Sequence, residues 1–520
     1  MRLPTLLTGL LLATMGCDPF GHWPDNTSID FDQALWDDDV VAAEDGVYVM
    51  LPNAGRLVRV NDNETFDVVD LSGAAPERLI ATPDGTRVLV FASWSSCEDP
   101  DPKITHVDQC DEDDLSENAE LVVVKNAKRS AVAEISPHLN ALAFSGDGQT
   151  AVAYLDYDES EGLEVSGLAD LGEVVFFDLE SGETASVSIG FSPNQVLFTD
   201  DNSTAVVMSR SKVVAVDLSS FSVVVEYPLT LDADDEITPS DAVLTPDGAT
   251  ALVSIEDSSD LYRLNLVEYS IDIEDLDAAP ADLAVSTSVD GTVIAYSSLN
   301  QVDVFDHESG ELGEPVELEE AVTDILLTDG LALLYNVSYA DVHDVYLLDL
   351  DTTETVEFVV ENPVDEMRLT ESGDFAVGLL RKESTTASGL EGEFDKREGL
   401  AVLDLLEEEG VSLVLEETPL GLALAENDNG SFALVLMNGL DYLLQVDLSD
   451  PSTASEIDLP EPPTSIGALP DGRFFITHDA ALGLVTFLDP ATGNSTSTGG
   501  FGAVELLTEQ TLPRREADEE

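Results

Sequence analysis

One short phrase, an apolar run closed by aspartate and a turn, keeps returning along this chain, and it restricts the possible folds more than any other feature. It reads VVFFDLESG at 174–182, VVAVDLSS at 213–220, VDVFDHESG at 302–310, VYLLDLD at 345–351, LAVLDL at 400–405 and LLQVDLSD at 443–450. Weaker copies at 57–62, 121–126, 261–266 and 484–493 bring the number to ten. Ahead of each copy lies a second phrase, typified by PSDAVLTPDGATALVSI at 239–255, in which two β-rich runs flank a tight turn. Asp-Gly or Asn-Gly occupies that turn at 45–46, 84–85, 147–148, 247–248, 290–291, 329–330, 429–430 and 471–472. Such pairs supply the positive φ that short hairpins need. Proline often opens the unit, as at Pro76, Pro193, Pro239, Pro419 and Pro463, where it ends one strand and sets up the next.

Each unit therefore spells strand, Asp-Gly turn, strand, loop, strand ending in Asp, turn, strand. This is one four-stranded blade of a β-propeller. The runs are too short and too rich in Val, Leu and Thr for helical repeats, and an array of two-sheet sandwiches is the remaining alternative. The fold class read from the sequence is all-β, a propeller of about ten four-stranded blades, closed as one wide ring or as two smaller ones. Units start near residues 37, 76, 137, 193, 239, 280, 322, 363, 419 and 463, within an array over 36–510. No linker rich in Pro, Gly or Ser interrupts it, which favours one continuous array. The segments SIDFDQAL (28–35) and FGAVELLT (501–508) read as stray strands that would pair across the seam and cover open edges. Residues 511–520 read as a disordered acidic tail.

The phrases TPDG at 82–85 and 245–248, and LPDG at 469–472, resemble the repeats of the YVTN and TolB-like propellers, a superfamily that includes lactonase-like members. The resemblance covers 37 to about 505 and implies the fold; scaffolds, binders and enzymes all use this architecture.

Charge excludes one class of partner. With 106 acidic residues against 20 basic ones, the formal net charge of the 520 residues is −86, and nucleic acid would be repelled. With 43% hydrophobic residues the chain has ample core material, so the acidity belongs to a surface and not to a disordered chain. Such a surface suits a saline medium.

The N-terminus reads as an address. Arg2 precedes an apolar stretch from Leu6 to Ala13, the length of a signal-peptide core and too short to span a bilayer. The following Thr14, Met15, Gly16 and Cys17 resemble the lipobox of bacterial lipoproteins, in which a small residue precedes the cysteine that is acylated. Gly16 and Cys17 match that pattern; Thr14 and Met15 depart from it. An ordinary signal peptide with an incidental cysteine is the plainer alternative. The resemblance implies export to the bacterial cell envelope, in the periplasm or at the cell surface, with residues 18–35 as a linker and the membrane reached through lipid alone. Export permits disulfides, and Cys97 and Cys110 are expected to pair inside one insertion.

Three units carry extra residues between their second and third strands, at roughly 94–119, 156–172 and 384–399. That connection falls on one face of a propeller, which makes this face the expected functional one. The first insertion is rich in acids, and in a chain this acidic such a loop is ordinarily just solvated. The third is bounded by Arg381, Lys382, Lys396 and Arg397, which would take an anionic ligand or, more simply, neutralise nearby acids. At the start of four consecutive innermost strands stand Asp241, Asp282, Asp324 and Asp365. Resemblance to lactonase-like propellers implies that such carboxylates gather calcium; the simpler reading is that each satisfies backbone amides at its own turn.

No HxH or HExxH spacing, GxSxG elbow, P-loop or Rossmann glycine run is present. The expectation is a non-catalytic binding or scaffolding module for a protein or envelope component, with no catalytic residue and no cofactor assigned. A calcium-dependent lactonase-like hydrolase is the alternative.

Overall fold

In the computed structural model the described residues are 33–35 and 40–502, apart from 73, 98–114, 138, 157–171, 231–236, 290, 340–341, 383–395 and 481. They form ten antiparallel sheets, each built on a meander of consecutive strands in four positions, arranged as the blades of one propeller. The blades span 40–70, 75–135, 141–188, 193–228, 239–275, 282–317, 324–359, 364–414, 419–458 and 463–499. They are numbered 1 to 10 in that order. The apolar run of each repeated phrase is the third strand of a blade, as in Glu173–Asp178 and Lys212–Asp217.

Burial follows position within the blade. Second strands such as Thr204–Ser209 are buried almost throughout, because both faces of each sheet are covered by neighbouring blades. Outer strands such as Thr355–Val359 alternate and carry an acid, Glu357, to water, which blunts the open edge.

The two repeated turn phrases have local causes. In TPDG the Thr245 hydroxyl donates to Asp247 Oδ1 at 2.7 Å and accepts the Thr250 amide at 3.0 Å, while Asp247 Oδ1 also accepts the Ala249 amide at 2.9 Å. Thr82 with Asp84, Ser145 with Asp147 and Thr199 with Asp201 repeat the arrangement. The aspartate that ends a third strand caps the outer hairpin: Asp178 accepts the Glu180 and Ser181 amides, Asp349 those of Asp351 and Thr352. These bonds hold the Asp178 and Asp349 carboxyls below the usual carboxylate range against the opposing effect of desolvation. The acidity of this chain is thus partly structural.

Ten apolar clusters lie between the blades, one at each interface. The cluster of Leu51, Val58, Val60, Leu469, Phe475, Phe487 and Phe501 joins blade 10 to blade 1 and closes a single ring. Arg473 reaches Asp62 at 2.9 Å across this seam, and the Thr498 hydroxyl donates to the Asn61 carbonyl at 2.7 Å. Among the described residues no strand pairs across this seam. Gln33–Leu35 does form a strand, as the sequence suggests, but it pairs with Ala141–Phe144, the innermost strand of blade 3, and not across the seam. That strand offers an open edge with matching backbone groups, whereas the seam is already closed by packed side chains. Residues 503–508 lie outside the described residues.

The Asp-Gly turns also touch one another around the ring. At Gly472, with φ of +75°, an added Cβ would sit 2.0 Å from the Glu426 carbonyl oxygen of blade 9, and Asn427 Nδ2 donates to the Gly472 carbonyl at 3.1 Å. A side chain there must both adopt a left-handed backbone and push a carbonyl away. Gly472→Ala is expected to cost about 3 kcal/mol. A urea midpoint equal to that of the native chain would show that the turns are not in contact.

Candidate functional site

In a four-stranded meander the first-to-second and third-to-fourth turns share one face, and the second-to-third loop shares the other with the connection to the next blade. The Asp-Gly and Asp-capped turns therefore occupy one face of the ring. The three insertions and the beginnings of the innermost strands occupy the opposite one.

Blade 2 shows how an insertion is carried. Its second and third strands, Val88–Cys97 and Leu115–Lys125, run on as a two-stranded ribbon in which Ser93–Cys97 pairs with Leu115–Ala119. Asn118 Nδ2 donates to Ser96 Oγ at 2.9 Å and steadies it. The centres of all three insertions, Cys110 and its pairing with Cys97, and the lipobox-like Cys17 lie outside the described residues.

The four aspartates of the innermost strands divide into three and one. Asp241 opens the pairing with Ser254, Asp282 with Ala295 and Asp324 with Tyr335, so the three occupy one row around the ring. Asp241 and Asp282 are buried, and burial also governs Asp324. Asp241 Oδ2 accepts the Leu283 amide of blade 6 at 3.0 Å, and Asp282 Oδ2 accepts the Ile325 amide of blade 7 at 2.7 Å. Each carboxylate thus holds the next blade, and Asp241 Oδ1 also accepts the local Ala242 amide at 2.8 Å, in line with the simpler expectation. Asp324 instead accepts from the hydroxyl of its neighbour Thr323.

Asp365 does not join the row. A bulge between Val364 and Glu366 advances blade 8 by one residue, and Glu366 takes the equivalent place opposite Leu379. Asp365 is turned out to Arg381, 3.7 Å away. Gln195 of blade 4 extends the row on its other side; its Nε2 donates to the Ala242 carbonyl at 3.2 Å and lies 3.4 Å from Asp241 Oδ1. Gln195 and Glu366 were not singled out from the sequence, because the bulges that set the row leave no mark on residue spacing.

Desolvation raises the Asp282 carboxyl well above its ordinary range, and the facing Asp241 and Asp324 carboxylates raise it further. Burial raises Asp324 as well, while the Thr323 hydroxyl opposes the shift. Among the described residues no group of three or more His, Cys, Asp or Glu side chains is placed to hold a metal ion. Asp241 and Asp282 are turned to backbone amides and Asp324 to the Thr323 hydroxyl, so these carboxylates do not converge as a calcium site would require.

Two of the basic residues bounding the third insertion are paired with acids. Besides Arg381 with Asp365, Lys382 Nζ lies 2.9 Å from Glu398 Oε1. Asn362 Nδ2 donates to the carbonyls of Arg381 and Arg397 at 2.9 and 3.0 Å and ties the two ends of the excursion together. Lys396 and Arg397 are exposed beside it. On the opposite face, a cleft of about 340 Å³ lies at the seam, where Glu44, Asp45, Asp62 and Asp471 surround Arg473 above Phe487.

No family model matches the chain, and no curated protein matches its sequence. Among solved structures it is similar to the dihydro-heme d1 dehydrogenase NirN in complex with DHE, at 13% identity over 74% of each chain and a TM-score of 0.45. It is also similar to hydrazine synthase of Kuenenia stuttgartiensis, at 14% identity over 59% of this chain and 95% of that one, and to the WD40 domain of Pan2 from Neurospora crassa, at 13% identity over 58% and 84%; both have a TM-score of 0.36.

Proposed function

We propose that this chain is an exported, lipid-anchored propeller that binds a protein or another component of the bacterial cell envelope through its insertion-bearing face, without catalysing a reaction. The observation that carries the reading is the placement of all three long insertions at the second-to-third connections, on one face of a ring whose opposite face is built of short, internally hydrogen-bonded turns. A rigid scaffold that concentrates its variable loops on one side is built for recognition. In blade 2 the two strands that flank the insertion stay paired up to its ends, Cys97 with Leu115. The signal-like stretch before Cys17 supports export and acylation, and among the described residues no helix is long and apolar enough to cross a membrane. A calcium-dependent hydrolase would need Asp241, Asp282, Asp324 and Asp365 to converge on one cation; their use in amide and ion pairs favours the binding role.

Two measurements test this. Replacing 98–114, 157–171 and 383–395 by short Asn-Gly turns is expected to abolish site-specific crosslinks to envelope components while the melting temperature stays within a few degrees of native. Crosslinks that survive all three replacements would dismiss the insertion face. Cys17→Ser is expected to move the chain from the membrane fraction to the soluble one and to remove the lipid mass from the mature N-terminus. A native chain without lipid would dismiss the anchor.

A further inference from the structure

Blade 6 differs from the other nine in two ways. Its outer strand is broken into two fragments of two residues, Glu311–Leu312 and Val316–Glu317, both pairing with Gln301–Asp306. It also buries two carboxyl groups, Asp282 and Asp303, each with one oxygen that has no hydrogen-bond partner.

The two acids face opposite ways. Asp282 shares its row with Ala295 and Val302, which belong to the core against blade 7. Asp303 shares its row with Ile294 and Leu283, which belong to the core against blade 5. Asp303 Oδ2 accepts from the Tyr296 hydroxyl at 2.5 Å, and Asp282 Oδ2 holds the Ile325 amide. The charged and titratable groups facing Asp282 are Asp241 of blade 5, Asp324 of blade 7 and, behind them, Tyr335 of blade 7; those facing Asp303 are Tyr296 and Asp277. No cation is among them.

We propose that blade 6 is a pH-responsive segment of the ring, held against both neighbours while Asp282 and Asp303 are protonated and loosened as they ionise. An ionised carboxylate on either face is left with an unsolvated oxygen and negative neighbours, and water must enter the interface to stabilise it. The broken outer strand leaves this blade with fewer ladder bonds to resist that opening. Burial raises both carboxyls, Asp303 despite the Tyr296 hydrogen bond. Because the folded ring holds these protons more tightly than the unfolded chain, their contribution to stability is complete below the ordinary carboxylate range and is lost as pH rises through the raised values.

Amide hydrogen exchange of the full chain, corrected for the intrinsic rate and run at constant high ionic strength from about pH 3, below the ordinary carboxylate range, to about pH 8, reads this directly. Exchange in 282–306 is expected to accelerate with pH by about tenfold more than in blades 2 and 9, which corresponds to a shift of one unit in a single carboxyl. Asp282→Asn and Asp303→Asn, singly and together, are expected to flatten that extra dependence. A pH response of blade 6 equal to that of blades 2 and 9 in the native chain overturns the proposal, whether or not the variants fold. So does an extra response that persists in both single variants and in the double variant.

Discussion

Raising the salt concentration from about 0.01 M to about 1 M will raise the melting temperature of this chain by on the order of 10 °C. The surface area is 26,316 Å² and the net charge −86, which leaves one uncompensated negative charge per roughly 300 Å². At that density the charges stand some 17 Å apart, inside a screening length of about 30 Å in dilute buffer and far outside one of about 3 Å in molar salt. Much of the self-repulsion is therefore removed across that range. The caps at Asp178 and Asp349 and the pairs Arg473–Asp62 and Lys382–Glu398 act over contact distances and lose less. Calcium and sodium are expected to coincide when compared at equal ionic strength. A midpoint that stays flat with salt would mean that the acids are already neutralised by protons or bound ions. A saturable rise specific to calcium, lost in Asp241→Asn, would revive the metal reading of the innermost row.

The second large effect separates two aspartates that look alike in sequence. Asp241→Ala leaves the Leu283 amide without an acceptor inside the interface of blades 5 and 6, and also removes the bond from Ala242 at 2.8 Å. A buried amide stripped of its partner costs about 2–3 kcal/mol, which should appear as a lower denaturant midpoint. Asp365→Ala removes a part-exposed ion pair with Arg381 at 3.7 Å and is expected to cost less, about 0.5 kcal/mol. Equal losses from the two substitutions would mean that Asp365 shares the buried row after all and that the register of blade 8 is different.

That contrast marks the boundary of what residue order alone reveals. The blades were legible because the bonds that define their turns are local. Thr245 and Asp247 satisfy the same hairpin they sit in, and Asp178 caps the two residues that follow it, so the phrases repeat wherever the geometry does. The ten all-β blades are therefore visible in the order of short runs and turns, while their closure as one ring rests on the seam cluster, which the sequence left open against two smaller rings. The row of acids was legible only in part, since it depends on bulges. Blade 5 has one between Pro239 and Asp241, blade 8 has one between Val364 and Glu366, and the pairing of blade 6 runs without one. A single inserted residue exchanges Asp365 for Glu366 and sends a carboxylate from the row to the surface. The partner of Gln33–Leu35 was hidden for a related reason: an open edge in blade 3 and an open edge at the seam accept the same short strand equally well on paper.

The seam itself has an implication for how such a ring comes to exist. Every blade is a contiguous run of chain, and the last meets the first through the same kind of apolar cluster that joins any other pair. The closed circle consequently has no privileged beginning. Circular permutation that joined 502 to 40 and reopened the chain at any connection between blades would leave each four-stranded meander whole and remove only the added strand Gln33–Leu35. Duplicating or deleting one unit of about forty residues would likewise change the circumference without cutting a ladder, so the gene can lengthen or shorten by whole blades while every intermediate still encodes complete sheets.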